Sequence, residues 1–276
     1  MEFEQRLWRW CAAAMLSLAI SVPATAELKT EVVTVNVRPG VTMEYLEILP
    51  ADPPKAAVVL MAGGKGVLGL RASGEISTDL NLNFLMRTRE QFVREGMAVA
   101  ALDVASDQMA GLNGDIRLSA GHARDIIKVM ADVRKRHNVP LWLVSTSAST
   151  ISAASVAARF PTKSGGPDGI VLTSSLTVLA KGLCGRSIYF APLADIRVPV
   201  LSIGHQRDGC PCSPGGAEIG RKMMAALKHS PKKEHKVWTG GDPPISKEPC
   251  WARTPHGFLG VENDVVKAIA EWVLPR

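Results

Sequence analysis

A cluster of hydroxyl side chains follows an apolar run near the middle of the chain. The run Leu141–Thr146 leads into Ser147, Ser149 and an alanine-rich segment at 151–159. An apolar strand that turns sharply into a helix is the setting in which a nucleophilic serine is exposed, usually in the pattern Gly-x-Ser-x-Gly. Here serine occupies the central position and both flanks, the earlier flank being Ser145.

The size of the flanking residues selects Ser147 as the candidate nucleophile. The residues two before and two after a nucleophile at such a turn must be small, because strand and helix pass close together there. A turn centred on Ser145 would have Leu143 at one flank, and a turn centred on Ser149 would have Ile151. Only Ser147 has two small flanks. The alternative is a serine-rich connection whose hydroxyls simply cap the following helix.

Two further residues follow predicted strands and suit proton transfer. Asp208 follows the strand predicted at 198–204, and His256 follows the last strand, predicted at 232–238. Ligands bind at the carboxyl ends of parallel strands, so we expect both side chains to meet Ser147 there. His256 would take the serine proton and then protonate the leaving group. Asp208 would fix the imidazole tautomer and stabilise the imidazolium.

Other titratable residues are less well placed for this chemistry. Asp103 also ends a predicted strand but precedes the serine, and His205 stands near the site, where we expect it only to line the pocket. The remaining histidines lie within or at the end of predicted helices and strands: His122, His137, His229 and His235.

Backbone N–H groups could stabilise the oxyanion of a tetrahedral intermediate. We expect one donor from Ala148, which begins a helix, and a second from the glycine-rich loop at 63–66, from Gly64 or Lys65. This loop lacks the Gly-x-x-x-x-Gly-Lys-Ser/Thr pattern of phosphate-binding loops, so nucleotide binding is not expected.

The elements that position these residues alternate between strands and helices. The predicted strands are 31–38, Val41–Leu49, Ala56–Met61, 97–104, Leu141–Thr146, Gly169–Thr173, 198–204 and 232–238. The predicted helices are 81–95, 119–138, 151–159, 214–229 and 261–273, with Leu82 inward on the first and Ser213 capping the fourth. This alternation predicts a mainly parallel sheet covered by helices, preceded by an antiparallel hairpin.

The N-terminal residues have the pattern of a secretory signal peptide. Arg6 and Arg9 precede a short apolar run that ends in Ala24-Thr25-Ala26. We expect cleavage after Ala26, leaving one domain at 27–276 that is periplasmic or secreted and does not associate with a membrane. The formal net charge of +6 comes from scattered basic residues without interleaved aromatics, so nucleic-acid binding is not expected.

Four cysteines remain after this cleavage: Cys184, Cys210, Cys212 and Cys250. An even number in an exported chain favours disulfides, with three connectivities open. The Cys-x-Cys spacing is unusual for zinc, and no paired histidines accompany it, so no metal site is expected.

The chain resembles exported bacterial α/β-hydrolases of a poorly characterised family of serine hydrolases and esterases. The resemblance covers most of 55–275 and rests on 63–66, 83–85, 87–89, Thr146 with Ser147, His205, 208–210 and 256–260. It implies an α/β-hydrolase fold with helices on both faces of the sheet, and 174–197 is too short for a large lid domain. It also implies a Ser147, Asp208 and His256 triad, in the chain order of these enzymes.

The resemblance implies hydrolysis of a small-molecule carboxylic ester through an acyl-enzyme, without a cofactor. The chain departs from the pattern of this family at Ser145 and Ser149, where relatives would have glycine. One alternative is therefore an inactive relative that binds a small molecule or a partner, and another is an amidase or peptidase with the same triad. A Cys210–Cys250 disulfide would tie the acid loop to the histidine loop, which would leave Cys184 to pair with Cys212.

Overall fold

One mixed sheet runs through the part of the chain described by the computed structural model, residues 28–179 and 184–274. Its eight strands are β1 (Lys29–Arg38), β2 (Val41–Leu49), β3 (Ala56–Met61), β4 (Met97–Ala105), β5 (Leu141–Thr146), β6 (Gly169–Thr173), β7 (Val200–His205) and β8 (Lys233–Trp238). Their spatial order is β1-β2-β4-β3-β5-β6-β7-β8. β2 is antiparallel to β1 and to β4, and the other neighbours are parallel. The predicted signal peptide, 1–26, lies outside the described residues.

The central strands are buried on both faces. Along β3, Ala57 and Val59 pack into one apolar core, while Val58 and Leu60 pack into a second core across the sheet. Side chains of a strand alternate between its two faces, so a run without polar residues requires cover on both sides. The predicted fold class, a mainly parallel sheet with an N-terminal antiparallel pair and surrounding helices, is confirmed.

Helices supply this cover. They are α1 (Phe84–Arg87), α2 (Arg89–Arg94), α3 (Gly114–Leu118), α4 (Ala120–His137), α5 (Ser149–Arg159), α6 (Ala217–Ala226) and α7 (Glu262–Val273). Apolar residues of α4, α5 and α6 belong to the first core, and those of α1, α2 and α7 belong to the second. Among the described residues, no helix has the length and apolar character needed to cross a membrane.

The helix predicted at 81–95 is broken into shorter pieces. Asn83 accepts the Leu85 N–H through its side chain, which starts α1, and the Thr88 hydroxyl donates to Phe84 O, which ends α1 before α2 begins. Leu82 precedes the break and is exposed, so its predicted inward position is wrong. Side chains that bond to nearby backbone groups compete with a continuous helix.

The helix predicted at 214–229 is also shorter than expected. It begins after Gly216, whose φ of 114° is incompatible with a helix, and it ends at Ala226. Ser213 was predicted to cap this helix, but its hydroxyl donates to the carboxylate of Asp208 instead. The loop between β7 and α6 therefore supports a candidate site residue.

Candidate active site

Ser147 stands at the tip of the turn between β5 and α5. Its φ of 55° lies in the left-handed region, which residues with side chains rarely adopt. Its N–H donates to Thr173 O on β6 at 2.9 Å, and its carbonyl accepts the Thr150 hydroxyl at 2.7 Å. The turn is thus held in the strained conformation that exposes a nucleophile.

Ser145 and Ser149, at the positions where glycine is usual, are fully buried and hydrogen-bonded. The Ser145 hydroxyl donates to Val171 O on β6 at 3.1 Å. Ser149 Oγ lies 2.6 Å from Met61 O on β3 and accepts the Thr146 N–H at 3.0 Å. The turn accommodates both extra side chains by bonding them to the strands on either side of β5.

The structure brings Asp208 and His256 into contact, although 48 positions separate them along the chain. Asp208 Oδ2 lies 2.8 Å from His256 Nδ1, and both side chains are buried. Asp208 Oδ1 accepts the Cys210 N–H at 2.9 Å, and the Ser213 hydroxyl donates to Oδ2 at 3.2 Å. A carboxylate that accepts the Nδ1 proton leaves Nε2 as the basic nitrogen of the imidazole.

A cleft of about 540 Å³ lies beside Ser147 and His256. Ser147 and His256 both line it, and His256 Nε2 has no hydrogen-bond partner among the described residues. Ser147 and His256 therefore border one space. Apolar side chains dominate the rest of the lining, beside one carboxylate and one guanidinium: Leu80, Leu82, Phe84, Ile245, Trp251, Asp79 and Arg253.

The glycine loop at 63–66 lies against Ser147. A Cβ atom at Gly63 would lie 2.8 Å from Ser147 Cβ, so only glycine fits without displacement. Gly64 lines the cleft and Lys65 does not, which favours Gly64 as the loop donor to an oxyanion. Ala148 caps α5 at its N-terminus, and its N–H has no protein acceptor within the described residues.

Asp103 and His205 support the scaffold. The Asp103 carboxylate accepts the N–H groups of Leu68 at 2.7 Å and Leu70 at 3.0 Å, which holds the chain that follows the glycine loop. His205 was expected to line the pocket, but it is buried beside the Phe258 ring and does not line the cleft. Burial lowers the pKa of His205.

Two disulfides join the four described cysteines. Cys210 pairs with Cys250, and Cys184 pairs with Cys212. The first links the Asp208 loop to the segment before His256. The sulfur atoms of Cys210, Cys212 and Cys250 lie close enough together to suggest a metal site, but bonding in disulfides removes the thiolates that a metal would bind.

Sequence analysis did not single out Arg117, whose guanidinium contacts the glycine loop. Its Nη2 donates to Gly64 O at 2.8 Å, and the side chain is 2% exposed. The helix that carries it, α3, has only five residues, which is too short for a periodic pattern to show which face is buried. No feature of the sequence around Arg117 indicates this contact.

Comparison with known proteins gives similarity in structure without similarity in sequence. The chain matches no protein-family model. No curated protein is significantly similar to it. Solved structures do match over most of their length. A dienelactone hydrolase from Anabaena variabilis has 13% identity and a TM-score of 0.62, over 90% of this chain and 99% of that one.

Two further structures agree. A cold-adapted esterase from an Arctic intertidal metagenomic library has 14% identity and a TM-score of 0.54, over 90% of this chain and 94% of that one. A serine hydrolase without a lid, from Xanthomonas campestris, has 14% identity and a TM-score of 0.55, over 90% of this chain and 96% of that one. The chain has the α/β-hydrolase fold. In an α/β-hydrolase the nucleophile stands on a strand-to-helix turn, which is where Ser147 lies.

Proposed function

We propose that the protein is a serine hydrolase that cleaves a carboxylic ester. The observation that carries the proposal is the buried Asp208–His256 pair, whose unpartnered Nε2 shares one cleft with Ser147. A nucleophile, a base in the same space and an acid that orients the base are the components of a serine-hydrolase triad.

Each group in the site has a defined part in the proposed reaction. His256 Nε2 removes the Ser147 hydroxyl proton as Oγ attacks the ester carbonyl carbon. The N–H groups of Ala148 and Gly64 bind the resulting oxyanion, and each such donor typically contributes roughly 3–4 kcal/mol to lowering the barrier. The imidazolium, stabilised by Asp208, then protonates the departing alcohol. Water activated by the same imidazole hydrolyses the acyl-enzyme and restores the serine.

The cleft supports an ester with an apolar group as the substrate class. Leu82, Ile245 and Trp251 are large, exposed and on the cleft lining, so an aliphatic or aromatic group would remove their apolar surface from water. Within the described residues, no lid domain covers this opening, so a substrate could enter without a domain movement.

Hydrolysis of 4-nitrophenyl butyrate by the wild type and by Ser147→Ala tests the proposal. We expect the substitution to lower kcat by about 10⁴-fold or more, because it removes the nucleophile. A fluorophosphonate probe should label Ser147 in the wild type. Ser155→Ala, a buried serine on the same helix outside the cleft lining, should retain activity. Equal rates for the wild type and Ser147→Ala would overturn the proposal. A matched nitroanilide substrate measures amide cleavage, and so tests the amidase or peptidase alternative.

A second candidate is an inactive relative that binds a small molecule in the cleft. It is favoured by the serines at 145 and 149, since glycine is usual at both flanks. The fluorophosphonate probe separates the two functions. Labelling of Ser147 requires an activated nucleophile, whereas a binding protein would remain unlabelled.

We also propose that the protein is exported with residues 1–26 as its signal peptide. The two disulfides support this, because structural disulfides persist mainly in oxidising compartments. N-terminal sequencing of the mature protein from a periplasmic or culture fraction should begin at Glu27. A mature chain that begins at Met1 would overturn the proposal.

A further inference from the structure

Arg117 is a buried cation without a buried anion beside it. Its side chain forms no salt bridge within the described residues, and burial lowers its pKa to about 10, so it remains protonated at neutral pH. Nη2 donates to Gly64 O at 2.8 Å and Nη1 donates to Ser152 Oγ at 3.2 Å. Taking a charge out of water without a partner is unfavourable, so this position is not explained by stability.

Ser152, which accepts the second Arg117 hydrogen bond, is itself bonded to a neutral histidine. Ser152 Oγ lies 3.0 Å from His122 Nε2. Burial and the charge of Arg117 lower the pKa of His122 to about 3, so its imidazole is neutral. A neutral Nε2 can accept the Ser152 proton, which leaves the serine oxygen as an acceptor for Arg117. The His122 imidazole therefore places no second positive charge beside Arg117.

Arg117 completes a set of bonds that holds three carbonyls of the glycine loop, those of Gly63, Gly64 and Lys65. Gly63 O accepts the Gly66 N–H at 3.0 Å, Gly64 O accepts Arg117 Nη2, and Lys65 O accepts the Leu112 N–H at 2.9 Å. Within the described residues, the N–H groups of Gly64 and Lys65 have no protein acceptor. These three carbonyls are therefore occupied while the N–H groups of Gly64 and Lys65 are free, as an oxyanion site requires.

We propose that Arg117 is a positioning residue for the oxyanion site, an inference that rests on the proposed hydrolase function. The bond to Gly64 O fixes the planar peptide unit that follows Gly64, and the bond between Gly63 O and the Gly66 N–H fixes the unit that carries the Gly64 N–H. Together the two bonds hold the backbone on both sides of Gly64 and so set the direction of its N–H. Gly64 has a φ of 56°, which glycine adopts readily but does not by itself fix. Arg117 selects this conformation before substrate binds, and donors that are already oriented do not need to reorganise as charge develops.

Arg117→Met keeps the length and apolar stem of the side chain while removing the donor and the charge. We expect kcat for 4-nitrophenyl butyrate to fall by about 10- to 100-fold with KM within about twofold, because the loss affects the transition state. Affinity for an alkyl boronic acid, which mimics the tetrahedral intermediate, should fall in parallel. The melting temperature should not fall. Arg134→Met is the matched control, since Arg134 also donates to a glycine carbonyl, Gly166 O, but neither residue lines the cleft.

Hydrogen exchange of the Gly66 and Leu112 amides, which donate to Gly63 O and Lys65 O and so report on the order of the loop, supplies a readout that does not depend on turnover. It should accelerate in Arg117→Met and stay unchanged in Arg134→Met. Arg117→Lys, which keeps the charge, should retain more of the wild-type kcat than Arg117→Met. If Arg117→Met does not fold, the same measurements are made on Arg117→Lys. Wild-type kcat together with wild-type exchange in a folded Arg117 variant would overturn the inference. Absence of Ser147-dependent turnover in the wild type would instead overturn the proposed function, and the exchange measurement would still decide the role of Arg117.

Discussion

Ser149 supports the turn at Ser147 through its side chain, at a position where glycine is usual in an α/β-hydrolase. Its oxygen contacts Met61 O on β3 and the Thr146 N–H on β5. These bonds link α5 to two strands at the point where the chain reverses. The serine therefore adds a cross-link between elements instead of only adding bulk.

Replacing Ser149 with alanine should destabilise the protein. The change removes the acceptor of the buried Thr146 N–H, and an unsatisfied buried donor typically lowers the free energy of unfolding by about 1–3 kcal/mol. Urea denaturation at neutral pH measures this. Ser155→Ala is the control, because Ser155 is equally buried on α5 but bonds no strand among the described residues. Its Oγ lies 3.4 Å from Leu118 O and accepts Arg159 Nη1 at 3.1 Å, and the Arg159 guanidinium keeps its own bond to Leu118 O without it. Equal stability of Ser149→Ala and the wild type would show that the hydroxyl does not hold the turn.

The loop at 239–254 carries the most exposed apolar side chains of the cleft. Ile245 donates its N–H to Arg253 O at 3.0 Å, and Trp251 donates to Glu248 O at 3.0 Å, so the loop has internal structure. Trp251 is 61% exposed and adjoins Cys250, which the disulfide fixes. A large apolar surface held at the rim of a cleft is suited to contact a substrate.

Trp251→Ala should alter the preference for acyl-chain length. Burying a large apolar side chain contributes about 1.5–3 kcal/mol, so we expect kcat/KM for a 4-nitrophenyl octanoate to fall by about tenfold. The acetate ester is too short to reach the rim, and its kcat/KM should stay within about twofold. Steady-state kinetics of both esters provides the measurement. Phe190→Ala removes a comparably exposed aromatic outside the cleft lining and should affect neither. Equal losses for both esters would contradict a rim contact.

The two disulfides differ in which elements they join. Cys210–Cys250 connects the loop that carries Asp208 to the loop before His256, whereas Cys184–Cys212 connects the segment after β6 to the loop after β7. Their sequence separations of 40 and 28 residues are similar, so the chain-entropy contribution to stability should also be similar. Activity should distinguish them.

Removing the first disulfide with Cys210→Ala and Cys250→Ala should lower kcat by about tenfold or more, because small displacements of catalytic groups are costly. Removing the second with Cys184→Ala and Cys212→Ala should leave kcat within a few-fold. Each pair should lower the free energy of unfolding by about 2–4 kcal/mol, measured by denaturation. The assay is run well below both melting temperatures. Equal losses of kcat in the two double variants would show that the first disulfide has no special role in the site.

Across the whole chain, the elements that depend on local composition could be predicted. The eight predicted strands correspond to the eight strands described, because continuous apolar runs such as Ala56–Met61 have one stable environment, the centre of a covered sheet. The helix at 81–95 was wrong because Asn83 and Thr88 bond to the backbone through their side chains. Apolar spacing alone does not register that competition.

The candidate site also contains residues that could be predicted from the sequence and residues that could not. Ser147, Asp208 and His256 were predicted from their places after strands, because the carboxyl ends of parallel strands converge whatever the intervening loops do. The roles of Ser213 and Arg117 could not be predicted. Each depends on which backbone or carboxylate oxygen a loop brings within 3.2 Å or less, and that distance is set only by tertiary packing.

The protein also has a property that belongs to the whole molecule, the dependence of its stability on pH. Burial lowers the pKa of His122, His205 and His235. Below the ordinary histidine pKa of about 6.5, the unfolded chain therefore binds protons that the folded chain does not. The free energy of unfolding should fall as pH decreases, because the unfolded state binds more protons. For His122, with a folded pKa of about 3, the loss extends from about pH 6.5 down to about pH 3.

His122→Gln tests this dependence, because glutamine can retain a bond to Ser152 Oγ without titrating. Each pH unit within the window corresponds to about 1.4 kcal/mol for one histidine, so His122 should account for a loss of about 2 kcal/mol between pH 7.5 and pH 5.0. Urea denaturation at the two pH values should show that the variant loses about that much less than the wild type. His229→Gln, which changes an exposed histidine, should lose as much as the wild type. If His122→Gln also loses as much as the wild type, His122 is not the buried neutral group that makes folding sensitive to acid.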